Sequence, residues 1–137
     1  NDENELKALG KVTKKLKHMA LQEKIPIVLV VHVRKKLQGE HPLIPAMEDI
    51  MGSSDIYKNA TKLVMLSGGS ESKHPHLRET YIHASKNRIK GSVKHYIAKV
   101  IYNTLTNSYE PQLILGQYRP GMTEFVPMKS EWPKWVK

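Results

Sequence analysis

The sequence predicts an α/β domain with a mostly parallel central sheet and a terminal antiparallel hairpin. Three observations carry that expectation. An amphipathic helical pattern over residues 4–23 leads straight into the continuously apolar run "IPIVLVVHV" at 25–33. Such a short β-branched run is typical of a strand buried on both faces, as in parallel sheets. Late in the chain, residues 80–86 and 93–102 alternate around "NRIKGS" and read as two strands of a hairpin.

The helix is justified by Leu6, Leu9, Val12, Leu16, Met19 and Ala20, which recur at helical spacing with lysines between them. Asn1, Asp2 and Asn4 are N-cap candidates, and acidic residues occupy the first turn, where the helix dipole favours them. The 25–33 run follows as an internal strand. A parallel sheet needs a strand before this helix, so the N-terminal half of a larger domain is expected to lie outside the chain. Residues 34–45 hold Gly, two Pro and three consecutive cations and read as an exposed loop. Residues 46–60 form a short helix broken near Gly52-Ser53-Ser54, "TKLVMLSG" a further strand, and "GSESKHPHLRE" a polar loop. Beyond the hairpin, "TNSYE" turns the chain, "PQLILGQY" is a late strand, and the tail carries Pro, charge and two Trp that would dock on the body or on another protein.

The 137 residues suit one domain, and 39% hydrophobic content sets the chain apart from disordered sequences. The formal net charge of +9, from 22 Lys+Arg against 13 Asp+Glu, favours a polyanionic partner such as nucleic acid or nucleotide phosphates, with an inert basic surface as the alternative. The absence of cysteine excludes disulfides and thiolate metal sites and is compatible with a cytoplasmic address. The longest apolar run is too short to span a bilayer, so no membrane partner is expected.

Several residues are candidates for chemistry. His32 ends the apolar run, where open α/β sheets bind ligands, and would touch a phosphate; the alternative is a histidine satisfied by backbone groups. Arg34, Lys35 and Lys36 would meet phosphates by charge-assisted hydrogen bonds, or form a solvated charge run. Gly52, Ser53 and Ser54 would let the main chain approach a phosphate backbone, or break the helix and cap its next turn. Lys86 and Arg88 share strand parity and would meet an anion beyond the hairpin, or act as edge charges that discourage aggregation. His74 and His76 have no third ligand at a convincing spacing, so no metal site is expected. No Gly-x-x-x-x-Gly-Lys-Ser/Thr phosphate loop occurs anywhere.

In this order, "IPIVLVVHVRK", "MEDIMGSSDIYKNATKLVML" and "IHASKNRIKG" resemble the C-terminal half of a RecA-like (P-loop NTPase) core of the DnaB and RepA type, the ring-shaped replicative helicases. The resemblance covers residues 4 to about 110. It implies residues 1–110 as the C-terminal part of an ATPase domain, with 111–137 a late strand and tail. It implies His32 as γ-phosphate sensor, Gly52 and Ser53 in a loop touching single-stranded DNA, and Lys86 and Arg88 reaching the ATP of a neighbouring subunit, Arg88 as an arginine finger in trans. ATP and Mg2+ would be bound mainly by parts outside this chain, and the partners would be single-stranded DNA and the other subunits of a homo-oligomeric ring, a hexamer. The chain departs from the pattern in carrying His where Gln is usual, and Asp49-Ile50 where an acidic–basic pair often precedes the Gly-Ser element. Without a phosphate loop the chain alone would be catalytically inactive. A stand-alone basic nucleic-acid-binding module, or a regulatory ATPase that moves no DNA, are the competing functions.

Overall fold

In the computed structural model, residues 2–34, 41–50, 54–71, 74–88 and 95–128 are described. The chain opens with helix α1 (Asp2–Gln22), followed by an extended stretch over 25–34; a 3-10 turn at Met47–Asp49 and the short helix α2 (Ser54–Asn59) come next among the described elements. Four strands follow: β1 (Lys62–Glu71), β2 (Leu77–Asn87), β3 (Tyr96–Asn103) and β4 (Ser108–Gln117). They form one sheet in the order β1-β2-β3-β4, every pair antiparallel. This overturns the expected mostly parallel, RecA-like sheet. Each strand follows its predecessor through a short connection, and short connections can join only antiparallel neighbours.

The decisive difference lies at residues 25–33. The segment is not an internal strand. It runs outside the sheet, with one isolated bridge from Val33 to Ile50. Val28 and Val30 are 88% and 84% exposed. A run of this composition reports a demand for burial, not the presence of neighbours to supply it. Ile25, Ile27, Leu29 and Val31 line a groove of about 490 Å3 with α1 and the start of β1, but only Val31 of these is partly buried, so this side of the run is also left largely open.

Helix α1 conforms to its period. Leu9 packs against the core, and Thr13 is buried with its hydroxyl donating to the Gly10 carbonyl at 3.0 Å. Val12 and Met19, which the sequence grouped with the apolar face, are about half exposed. Lys24, in the left-handed region at φ 53°, ends the helix; the Ile25 N–H reaches back to the Ala20 carbonyl at 3.2 Å. Glycine usually fills this role because it has no Cβ to clash.

The sheet buries one face. Met65 pairs with His83, Tyr81 with Lys99, and Ile97 with Gly116, so these residues share that face. Ile44 and Ile50 from the connecting stretch and Ile56 from α2 complete the core with Met65, Tyr81 and fully enclosed Ile97. The opposite face stays open at its β1 edge, where Val64 and Leu66 are more than half exposed. The β3–β4 turn is set by asparagines. The Asn103 side chain accepts from the Leu105 and Thr106 N–H groups, and Asn107 takes φ 52°. The loop read between β1 and β2 is shorter than expected, because β1 extends to Glu71 and β2 already begins at Leu77.

Past β4 the chain folds back. Phe125 lies 5.8 Å from the Tyr81 ring, and the Met128 N–H donates to the Leu115 carbonyl at 2.9 Å. Gly116 makes this return possible: a Cβ there would sit 2.6 Å from the Val126 carbonyl oxygen and 2.7 Å from the Phe125 ring. Gly116→Ala should therefore destabilise the fold by about 1–3 kcal/mol, as overpacking does. Gly68→Ala, where an added Cβ meets nothing within 4 Å, should leave stability unchanged or raise it by up to ~1 kcal/mol. Urea denaturation of the two variants beside the parent measures the contrast. The exposed valines give a second expectation. Replacing Val28 and Val30 by lysine should reduce binding of a hydrophobic dye without lowering the melting temperature, because neither side chain contributes to the core.

Candidate nucleotide and nucleic-acid interface

Among the described residues marked for phosphate chemistry, Ser54 begins α2, and Lys86 and Arg88 meet its other end. Ser54 is exposed and begins the helix, directly after Gly52 and Ser53, which with Lys35 and Lys36 lie outside the described residues. At the other end, the Lys86 ammonium donates to the carbonyls of Tyr57 and, at 3.1 Å, Lys58. The Arg88 guanidinium donates to the Lys58 carbonyl at 2.8 Å. These are last-turn carbonyls with no partner inside the helix, so the two cations cap it. The parity argument holds physically: β2 ends at Asn87, and the Arg88 N–H continues the pairing by donating to the Thr61 carbonyl at 3.2 Å. Both side chains therefore emerge on the α2 side of the sheet. Lys86 is partly buried and Arg88 exposed.

Helix α2 is also tied to α1. A Cβ on Gly10 would lie 2.5 Å from a carboxylate oxygen of Asp55, so glycine admits that side chain, and the Asn59 amide donates to the Thr13 hydroxyl at 3.4 Å. His32 and Arg34 are exposed near the end of the extended segment. The Arg34 N–H donates to the Asp49 carbonyl at 2.6 Å, which anchors this end to the 3-10 turn. No described hydrogen bond links His32 to Lys86 or Arg88, so these three are not assembled into one constellation within the described residues.

Among the described residues no three His, Cys, Asp or Glu side chains converge, and His74 and His76 are exposed.

Two polar groups that sequence reasoning passed over lie on the covered face of the sheet. His83 is 2% exposed; its Nδ1–H donates to the Tyr96 carbonyl at 2.9 Å, and its ring stacks on Tyr118 with centroids 3.6 Å apart. The pair walls a shallow cleft of about 400 Å3 with Ser85, His95 and Glu48. Burial holds the imidazole below its usual range, against the opposing pull of the Tyr96 carbonyl. Burial likewise raises the Tyr118 hydroxyl. Nearby, the Tyr81 hydroxyl donates to Glu79, and Lys99 pairs with Glu79 at 3.2 Å while standing 5.0 Å over the Phe125 ring. The Tyr81 bond, followed by Lys99, outweighs burial and lowers Glu79, while burial and Glu79 push Tyr81 far up. The signal for both groups was parity. Glu79, Tyr81 and His83 alternate along β2, so a histidine in step with a core tyrosine had to be buried and bonded.

No protein-family model, curated protein or solved structure matches this chain.

The buried histidine makes stability pH-dependent. Its folded-state pKa is depressed, so below the ordinary value of 6.5 the unfolded chain takes up a proton that the folded protein refuses. Stability is intact above pH ~6.5 and falls as pH drops from there toward the folded-state pKa, by at most about 1.4 kcal/mol per pH unit. Urea midpoints between pH 7.5 and 5 should fall more steeply for the parent than for His83→Gln, which cannot titrate. Parallel curves would show that His83 is not the group responsible.

Proposed function

We propose that the chain is the part of an ATP-driven nucleic-acid motor, of the DNA-helicase kind, that joins a nucleic-acid contact to a phosphate contact. The observation that carries this reading is helix α2. It begins at the Gly52–Ser54 element and ends on the two cations, so one six-residue element spans both candidate contacts. The order of the three resembling segments supports the reading independently of the fold, and so does the net charge of +9. Ser54, with Gly52 and Ser53, would meet the strand; Arg34, Lys35 and Lys36 would add charge there. Lys86 and Arg88 would face the γ-phosphate of a nucleotide held by a neighbouring subunit of a ring, and His32 would sense that phosphate. A cytoplasmic address belongs to this reading.

Arg88 suits the role chemically. Its cap uses one guanidinium nitrogen, and the side chain is exposed. A planar guanidinium can stabilise charge that builds up on a phosphoryl group in transfer. The competing function, a basic nucleic-acid-binding module without catalysis, is favoured by one observation: the chain has no phosphate-cradling loop.

Mutation of Arg88 in the protein at its natural length separates the readings. Arg88→Ala should lower ATP turnover by roughly 10³–10⁵ while nucleotide affinity stays near the parental value. Arg88→Lys retains a cation for the Lys58 carbonyl and should keep the parental melting temperature, yet remain slow, because an ammonium lacks the planar fork. Mixing Arg88→Ala with a variant disabled in its phosphate loop should restore part of the activity, since some interfaces would combine intact halves. Parental turnover in Arg88→Ala would reduce Lys86 and Arg88 to capping residues. Nucleic-acid binding with no ATPase in the natural-length protein would favour the non-catalytic module.

A further inference from the structure

The outer face of α1 carries charge that the reading above does not use. At about 100° per residue, Lys7, Lys11, Lys14, Lys15 and His18 fall within an arc of roughly 100°. All five are exposed. The arc is turned away from Leu9, Gly10 and Thr13, which pack toward the core and α2. It runs for roughly 16 Å along the helix axis. The shallow groove over its C-terminal half is lined by α1 and the adjoining Glu23 alone, so no other described element covers it. Glu3, a turn before Lys7, stands just outside the arc, and Glu23 lines the far end of the groove. None of these five side chains has a hydrogen bond or ion pair with the described residues.

Four lysines on one rigid rod repel one another and gain nothing from the fold. Like-charged neighbours one turn apart destabilise a helix by about 0.2–0.5 kcal/mol per pair. We infer that this stripe is a binding track for the phosphodiester backbone of a nucleic acid, separate from the Gly52–Ser54 element. The spacing suits such a ligand. Side chains three and four residues apart stand about 5–6 Å from each other, a repeated row of point charges that a regularly charged polymer can follow. Helix α1 has no Phe, Tyr or Trp, and His18 is the one ring on the stripe, so the track offers no series of stacking platforms and reads backbone, not sequence. A membrane surface fits less well. A helix that lies in a bilayer interface inserts its apolar face, and here that face is turned to α2 and the 25–31 segment.

The inference needs only the charge and geometry of α1 and stands if the ATPase reading falls. The test compares the parent with Lys11→Gln/Lys14→Gln/Lys15→Gln, and with Lys24→Gln/Lys62→Gln/Arg119→Gln as a control of equal charge loss off the stripe. Glutamine is a good helix former, so circular dichroism should show the helix intact. Each protein is titrated with labelled oligo(dT) and with a random-sequence duplex over a range of salt concentrations. Loss of three phosphate contacts should flatten the slope of log affinity against log salt by ~2 on the single strand and by ~2.7 on the duplex. A slope loss of ~2 corresponds to about hundredfold weaker binding at 0.1 M than the parent when both are extrapolated to a common value at 1 M. Flattening in the stripe variant alone, on either nucleic acid, supports the track and identifies the form it holds. Equal flattening in the control would reduce the effect to net charge. Parental slopes on both nucleic acids, or stripe-dependent binding to phosphatidylserine vesicles with none to nucleic acid, would overturn the inference.

Discussion

Helix α2 cannot hold itself together, and the arrangement of the N-terminal half depends on what holds it. Six residues give too few internal hydrogen bonds to offset the cost of nucleating a helix. Its shape and place are therefore imposed from outside, on three sides. Ile56 is buried in the core with Met65 and Ile97. Gly10 lets α1 come close enough to receive Asp55, and Asn59 reaches Thr13. Lys86 and Arg88 take the last carbonyls from the end of β2. Remove any of these and the helix loses a wall, not merely a bond. Because the walls belong to α1, the core and the sheet, α2 is the joint at which these parts meet.

A second constraint is the mismatch between apolar surface and available cover. The four-stranded sheet has two faces, and the residues packed against it cover one. Val64 and Leu66 on the open face, and Val28 and Val30 in the 25–33 segment, present large apolar side chains to water. Exposed apolar runs with unpaired backbone are what strand-pairing partners recognise, and they are an aggregation hazard when no partner is present. The segment is held at its ends, by the Ile25 N–H on Ala20 and by Val33 and Arg34 against the 3-10 turn. Between those anchors its strand character goes unused.

These two constraints explain which features were legible in the sequence. Local periodicity fixes what depends on one element's own pattern. Thus α1 follows from Leu6, Leu9, Leu16 and Ala20, and β2 and β3 follow from their alternation. Neighbour identity is different. "IPIVLVVHV" demands burial equally whether strands flank it or not, so its composition predicted a parallel sheet that these residues do not make. The left-handed Lys24 was illegible because lysine gives no hint of positive φ. The Tyr81–Phe125 contact joins positions 44 residues apart, beyond any local pattern. Of the candidate site, the shared parity of Lys86 and Arg88 was readable, but their target was not. An anion was expected, and two backbone carbonyls stand there.

Capping and anion binding are compatible at Arg88. A carbonyl at a helix C-terminus carries partial negative charge, and it attracts the same side chain that a phosphate would. Arg88 donates one nitrogen to the Lys58 carbonyl, while a guanidinium has five N–H donors in a fixed plane. Holding one edge of that plane on α2 orients the remaining donors and removes rotamer freedom before any ligand arrives. The ordering cost that an exposed arginine would otherwise meet on binding is then already met by the fold. The same bond runs the other way. An anion strong enough to draw the guanidinium off Lys58 would leave Lys86 as the one cation capping α2 at the end opposite Ser54, and a helix this short has little internal bonding with which to resist. The arrangement thus contains a physical route from the end of β2 to the start of α2, made of one side chain and six residues of backbone.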